Sequence, residues 1–155
     1  MPRDETAAPA VLGIDHVAVV VRDADSAGIY FVKQLGLARL YDELVQDVGV
    51  RLVYFGATAA PGAMVQLVQP IAASPIQDFL NTHGEGLHHV CFLVDSVATT
   101  IGRLDGESAT EMFVGGRGRS ACFLRTRASG VLIELTERHP SSRPVPWSGR
   151  GRPAS

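Results

Sequence analysis

Apolar positions along the chain fall into short runs, and their spacing changes character in a fixed order. "GIDHVAVVV", residues 13–21, is rich in β-branched residues and predicts a strand. The following "RDADSAGIYFVKQLG" predicts a helix that Asp23 or Asp25 can cap and that Gly36 can end in the left-handed conformation. Three more strands are expected at "ARLYDELV", "GVRLVYFG" and "AMVQLVQP", with "GATAAPGA" a turn by its Gly and Pro content. A short connector helix is expected at "SPIQDFLNTHG", where Ser74 is a good cap, Pro75 suits the first helical position and Gln77 completes a capping box. The pattern then restarts. "GLHHVCFLV" predicts a strand, and "DSVATTIGRL" predicts a helix with Val97, Ile101 and Leu104 on one face. "SATEMFV", "RSACFLRT" and "GVLIELTE" are the closing strands, the first of them weakly patterned.

Each half therefore reads βαβββ, and the chain is an internal repeat of the α+β class. Laying "IDHVAVVVRDADSA" over "LHHVCFLVDSVATT" aligns His16 with His89 and brings Asp23 near Asp95. The expected organisation is a single domain over 11–137, with module one at 11–70, the connector at 71–84 and module two at 85–137. Residues 1–10 read as a flexible amino end. Residues 138–155 mix Pro, Ser, Gly and Arg without periodicity and read as a mobile or surface-hugging tail, in which Trp147 has no predicted docking place.

Composition narrows the function without choosing it. With 155 residues, 46% hydrophobic and 19% charged, the chain is an ordinary globular one long enough for a real core. A net charge of −2 offers no basic field to gather phosphates, so nucleic acid is not an expected partner, and small molecules or protein surfaces are. No stretch reaches the roughly 18 apolar residues of a membrane helix, and no apolar run follows a basic start, so a cytoplasmic location is expected. Cys91 and Cys122 lie inside apolar runs and read as small buried hydrophobes.

Four residues stand out by position. His16 and His89 occupy equivalent places, and each half closes on a strand with one coordinating side chain among apolar neighbours: Gln66 in "MVQLV" and Glu134 in "VLIEL". Singly, each reads as a core, rim or edge side chain. Matching positions in two repeats are harder to obtain by chance. In "GVLIELTE", Ile133 and Leu135 share one face while Leu132 and Glu134 share the other, so the carboxylate needs a partner, and a cation is an effective one. Strict alternation sends His88, like its equivalent Asp15, to the opposite side from the paired histidines, where it serves packing or an outer hydrogen bond. Two neutral imidazoles, one amide oxygen and one carboxylate suit a divalent ion of the Co, Mn, Ni, Zn or Fe type. Four protein ligands on an octahedral ion leave two positions for two oxygens of one substrate, and the ion acts as a Lewis acid in removing a proton next to a carbonyl.

The βαβββ repeat, the strand starts "DHV" and "HHV" and the endings "VQL" and "IEL" resemble the vicinal oxygen chelate superfamily. "GEGLHHVCFLVDSV", "SPIQDFLNTHG" and "GVLIELTE" are similar to its methylmalonyl-CoA epimerase branch, over roughly residues 11 to 137. The resemblance implies two modules in tandem forming a cupped, curved mixed sheet around a metal site held by His16, Gln66, His89 and Glu134, all from one chain. It also implies a homodimer, a small-molecule substrate such as an acyl-CoA, and proton transfer by two carboxylates on opposite faces of an enolate. Glu134 matches one of these, doubling as ligand. The other falls on Leu52, which cannot shuttle a proton, and Glu43, Tyr54 or a metal-bound water are the candidate replacements. Where such epimerases carry histidine-proline-lysine before the last strand, this chain has "FLRTRASG", whose Arg125 and Arg127 meet an anion or are solvated strand-end arginines. "GGRGRS", residues 115–120, reads as a flexible, basic loop fit for a lid or a phosphate-reaching element, or as a plain Gly-rich turn. The expected activity is a metal-dependent isomerase or epimerase that stabilises an enolate. The alternatives are a glyoxalase-type lyase, a specialised biosynthetic isomerase, and a non-enzymatic small-molecule binder. An extradiol-type dioxygenase is disfavoured because its ligands normally come from one half of the fold.

Overall fold

Strand β1 (Val11–Val20) is followed by α1 (Ala24–Lys33), β2 (Ala38–Val45), β3 (Val50–Gly56) and β4 (Met64–Pro70). Helix α2 (Pro75–His83) leads to β5 (Gly86–Val94), α3 (Val97–Gly102), β6 (Phe113–Val114), β7 (Ser120–Phe123) and β8 (Ile133–Glu137). The computed structural model describes residues 11–104 and 109–140. The expected flexible amino end, and the tail from residue 141 with Trp147, lie outside the described residues.

Local sequence explains the helices. Asp23 caps α1 by accepting from the backbone N–H groups of Asp25 and Ser26, and Asp25 falls in the first turn, where its charge suits the helix dipole. Gly36, at φ 67°, ends the helix as expected, with its N–H donating to the Val32 carbonyl. Ser74 accepts from Gln77 N–H at the start of α2, and Pro75 opens that helix without losing a hydrogen bond.

The eight strands form one curved mixed sheet in the order β2-β3-β4-β1-β5-β8-β7-β6. In each half the first and fourth strands pair in parallel, and the remaining pairs are antiparallel. Strands β1 and β5 meet antiparallel at the seam: His16 pairs with Cys91, Val17 with Val90 and Ala18 with His89. The twofold axis relating the halves therefore passes between Val17 and Val90 and exchanges His16 with His89.

Alternation breaks at matching places on these two strands. Ile14 pairs with Phe92 and His16 with Cys91, so Asp15 is an extra residue on β1; Ala18 pairs with His89 and Val19 with Leu87, so His88 is an extra residue on β5. These are β-bulges, and a bulge re-aims the side chain it carries.

Strand β3 is buried on both faces, which is why it reads as an almost unbroken apolar run. Leu52 and Tyr54 pack with Ala18, Val68 and Ile76 on the inner side, while Val53 and Phe55 pack with Val21, Ala24 and Leu67 under α1. Val94, Val97, Cys122, Leu124 and Leu135 form the corresponding cluster under α3. The weakly patterned strand shrinks to Phe113–Val114, with Ala109 bridging Leu124 in isolation; Ser108 lies outside the described residues. The chain leaves β6 through a 3-10 turn, Gly116–Gly118, in which Arg117 and Gly118 take φ values of 59° and 68° that no strand continues. Among the described residues no helix is long and apolar enough to cross a membrane.

Candidate metal centre

The sheet brings His16, Gln66, His89 and Glu134 together from β1, β4, β5 and β8. Three of the side chains are nearly inaccessible, His16 at 2%, Gln66 at 4% and His89 at 5% exposed. Glu134 Oε2 lies 3.2 Å from His89 Nε2 and Glu134 Oε1 lies 4.0 Å from His16 Nε2. The donor atoms of His16, His89 and Glu134 all fall within 4.8 Å of one another. Donors held at about 2.1 Å from one ion are about 3 Å apart when adjacent and about 4.2 Å apart when opposite, a range that takes in both histidine–carboxylate separations. Gln66 donates its Nε2 to the Tyr54 hydroxyl at 2.7 Å, which leaves Oε1 as its lone-pair end.

The residues also fit a cation by what they lack. His16 Nε2 and His89 Nε2 are buried without a hydrogen-bond partner, and an orphaned buried polar atom costs about 1–3 kcal/mol. Both Nε2 atoms lie near one carboxylate, and a divalent ion among the three would give each of them a partner.

The outer contact of His16 fixes which of its nitrogens is free. Burial opposes ionisation of Asp15, but hydrogen bonds from His16 and Arg117 outweigh it and lower its pKa to about 2. Asp15 is therefore a carboxylate, an acceptor only, and His16 Nδ1–H donates to it at 2.6 Å, which leaves Nε2 as the lone pair. On the other half, the Nδ1 atoms of His88 and His89 are 2.7 Å apart. Burial, with His89 adding to it, depresses His88 to about 4, so it is a neutral imidazole; with His89 Nδ1–H as the donor of this pair, His89 Nε2 carries the lone pair. Here the structure corrects strict alternation. Asp15 and His88 do not face away; each bulge turns the preceding side chain toward its histidine, and His88 lines the same cavity as His89.

In the metal-free protein His88 has a consequence for acid stability. Its folded pKa lies below the ordinary 6.5, so the unfolded chain takes up the proton first, and its stabilisation is complete above pH 6.5 and lost as the pH falls toward 4. Urea unfolding at pH 7 and pH 5 is expected to show His88→Ala losing about 1–2 kcal/mol less than the wild type over that interval, after discounting for its partial exposure.

Glu134 is 12% exposed. Burial raises its pKa, but His89, His16 and the Cys91 thiol together hold it below its ordinary value, so it is ionised. Cys91 Sγ donates to Glu134 Oε1 at 3.3 Å, which gives this buried thiol a task beyond filling space. Both cysteines are buried and free, and burial raises both thiols, Cys122 to about 11, so neither is a nucleophile at neutral pH.

Above these groups is a cavity of about 180 Å³. Val45, Val48, Val50, Leu52, Val68 and Ile76 make its apolar wall, and Gln66, His88, His89 and Glu134 make its polar floor. Leu52 thus stands in the cavity wall, and neither Glu43 nor Tyr54 lines the cavity in its place. Glu43 Oε1 accepts from Arg117 N–H at 2.5 Å, and burial holds the Tyr54 phenol well above its ordinary pKa, in its protonated form. Arg125 and Arg127 are exposed at the end of β7 and do not line it.

The loop 115–119 is not a solvated lid. A Cβ on Gly116 would fall 2.2 Å from the Tyr54 hydroxyl and 3.0 Å from Leu52 Cδ1, so the backbone is seated against module one. The Arg117 side chain is 9% exposed, ion-paired with Asp15, and lies 4.8 Å over the Tyr54 ring. Sequence reasoning passed over Arg117; the glycines flanking it were the available signal, since a loop that approaches another backbone closely needs residues without a Cβ.

A sequence profile of the Glyoxalase/Bleomycin resistance protein/Dioxygenase superfamily matches residues 15–123. The chain is 31% identical over 130 residues to an uncharacterised protein, YqjC, of Bacillus subtilis, covering 80% of this chain and 91% of that one. It is 27% identical over 132 residues to an ethylmalonyl-CoA/methylmalonyl-CoA epimerase of Cereibacter sphaeroides, covering 80% and 96%. The crystal structure of methylmalonyl-CoA epimerase from Mycobacterium tuberculosis superposes with a TM-score of 0.80 at 29% identity, covering 89% of this chain and 95% of that one. With its repeated halves, its single cupped sheet and histidines exchanged by the axis between them, the chain belongs to the glyoxalase/bleomycin resistance protein/dioxygenase superfamily, the vicinal oxygen chelate fold.

Proposed function

We propose that the protein is a metal-dependent isomerase of the epimerase type, acting on a thioester such as methylmalonyl-CoA through its enolate. The observation that carries this reading is the pair of buried, unpartnered Nε2 atoms of His16 and His89 converging on Glu134 beside an apolar cavity. His16, Gln66, His89 and Glu134 would hold a divalent cation of the Co, Mn, Ni, Zn or Fe type, and the bound cation would supply Lewis-acid stabilisation of negative charge on carbonyl oxygen. Among the described residues no lysine or arginine lines the cavity, so an anionic substrate finds no other positive charge inside. The acyl part would occupy the cavity, and the rest of an acyl-CoA would stay outside it. Glu134 has two oxygens and can contact the cation through one while the other takes the α-proton. The names of the epimerase relatives support the substrate class. A homodimer is part of the same proposal, for which the exposed Val11, Leu12 and Ile14 of β1 offer apolar surface.

One observation favours a second reading. Inverting a carbon through its enolate calls for acid–base groups on both faces, and Glu134 is the one carboxylate among the described residues lining the cavity. A 1,2-proton shift on one face, the glyoxalase-type reaction of a thiohemiacetal, needs only one base. The metal-loaded protein incubated with methylmalonyl-CoA in deuterated water is expected to place deuterium at the α-carbon and to interconvert the epimers. No deuterium uptake with metal bound would sink the epimerase reading, and turnover of methylglyoxal with a thiol would establish the second.

A further inference from the structure

Both first-module ligands of the candidate metal centre lean on groups that meet one guanidinium, and that guanidinium comes from the second module. Arg117 pairs with Asp15 through both terminal nitrogens, Nη1 to Oδ1 at 3.3 Å and Nη2 to Oδ2. Asp15 in turn accepts from His16 Nδ1–H. The same guanidinium carbon lies 4.8 Å over the ring of Tyr54, whose hydroxyl takes the amide proton of Gln66. The placement is built and not incidental. The Arg117 backbone takes the left-handed region at φ 59°, its N–H donates to Glu43 Oε1, and Gly116 before it leaves no room for a Cβ against Tyr54. Arg119 adds a longer contact, Nη1 to Asp15 Oδ1 at 3.6 Å, without the two-pronged geometry.

We propose that Arg117 is a positioning residue: docked across the module boundary, it fixes the His16 tautomer through Asp15 and the Gln66 amide through Tyr54, and so sets the geometry of half the cation site. The inference rests on reading His16 and Gln66 as ligands. A fork that grips both carboxylate oxygens holds the plane of Asp15, and the plane of Asp15 holds the imidazole. The first-module half of the site is then complete only after the 115–119 loop of module two has seated.

Two measurements test this on the full chain. Nitrogen-15 NMR of the metal-free protein reads the His16 ring, and the wild type is expected to show one tautomer, protonated at Nδ1. Titration with Co²⁺, followed by its visible absorption, reads affinity and ligand geometry. Arg117→Met is expected to mix the His16 tautomers, weaken Co²⁺ binding about 10–100-fold and shift the band. Arg117→Lys, which keeps the charge and loses the fork, recovers part of the affinity, and the exposed control Arg125→Met changes neither signal. Adding Asp15→Asn to Arg117→Met costs less than the two single effects combined, because they act along one path. A folded Arg117→Met protein with the wild-type tautomer, affinity and band would overturn the proposal, as would full additivity. If Arg117→Met does not fold, Arg117→Lys is read by the same two signals and decides alone. Absence of Co²⁺ uptake by the wild type would instead count against the ligand reading, while the tautomer signal still judges Arg117.

Discussion

His89→Ala is expected to lose equimolar binding of a divalent cation and, with it, activity by about 10³-fold or more, because Lewis-acid stabilisation is worth several kcal/mol and each 1.36 kcal/mol is tenfold in rate. The neighbour is the control. His88→Ala removes an outer hydrogen-bond partner of His89, so the cation stays bound with affinity lowered by about 10–100-fold. Elemental analysis after dialysis against a weak chelator separates the outcomes. Cation retained in His89→Ala and lost in His88→Ala would mean that the cavity uses the other imidazole of the doublet. Both rings line the cavity, and His89 is the one whose Nε2 stands 3.2 Å from Glu134 Oε2.

Glu134→Gln separates two roles that one side chain combines. The amide keeps an oxygen donor of the kind Gln66 already offers, so cation binding weakens but persists. It cannot accept a proton, so α-proton exchange falls by about 10²–10⁴-fold, the usual worth of general base catalysis. Solvent deuterium exchange and cation stoichiometry measured on the same preparation decide the matter. Exchange near the wild-type rate would place the base elsewhere. Because Leu52 presents only hydrocarbon to the cavity, that alternative base would have to reach in from outside the present lining.

The fold was legible because it is written twice. The first half alone, with β3 apolar on both faces, could be read as several sheet types, but its repetition with His16 over His89 specifies two equivalent units, and the antiparallel seam gives that equivalence a real axis. Gln66 and Glu134 were legible for a related reason: each is a polar side chain flanked on both sides by apolar residues in a closing strand, in "MVQLV" and "VLIEL". The bulges at Asp15 and His88 were not legible. Alternation assumes unbroken pairing, and an extra residue in the ladder leaves no mark on local composition. Arg117 was hidden differently. Its partners Asp15, Glu43 and Tyr54 lie on three strands of the other half, so nothing within reach along the chain announces them. The short β6 reflects the same docking, since the turn that seats Arg117 ends the strand.

The matching bulges also bear on how alike the two halves of the site are. A site with true twofold symmetry would present two identical halves to anything bound on the axis. Here the backbone repeats, but the side chains it turns inward do not: an anion stands behind His16 and a neutral ring behind His89. The imidazole backed by the anion is the stronger electron donor, so the two nitrogens pull unequally on anything bound between them. Duplication supplied a symmetric frame, and divergence at the inserted residue of each bulge, together with Gln66 facing Glu134, made its two halves unequal toward a ligand.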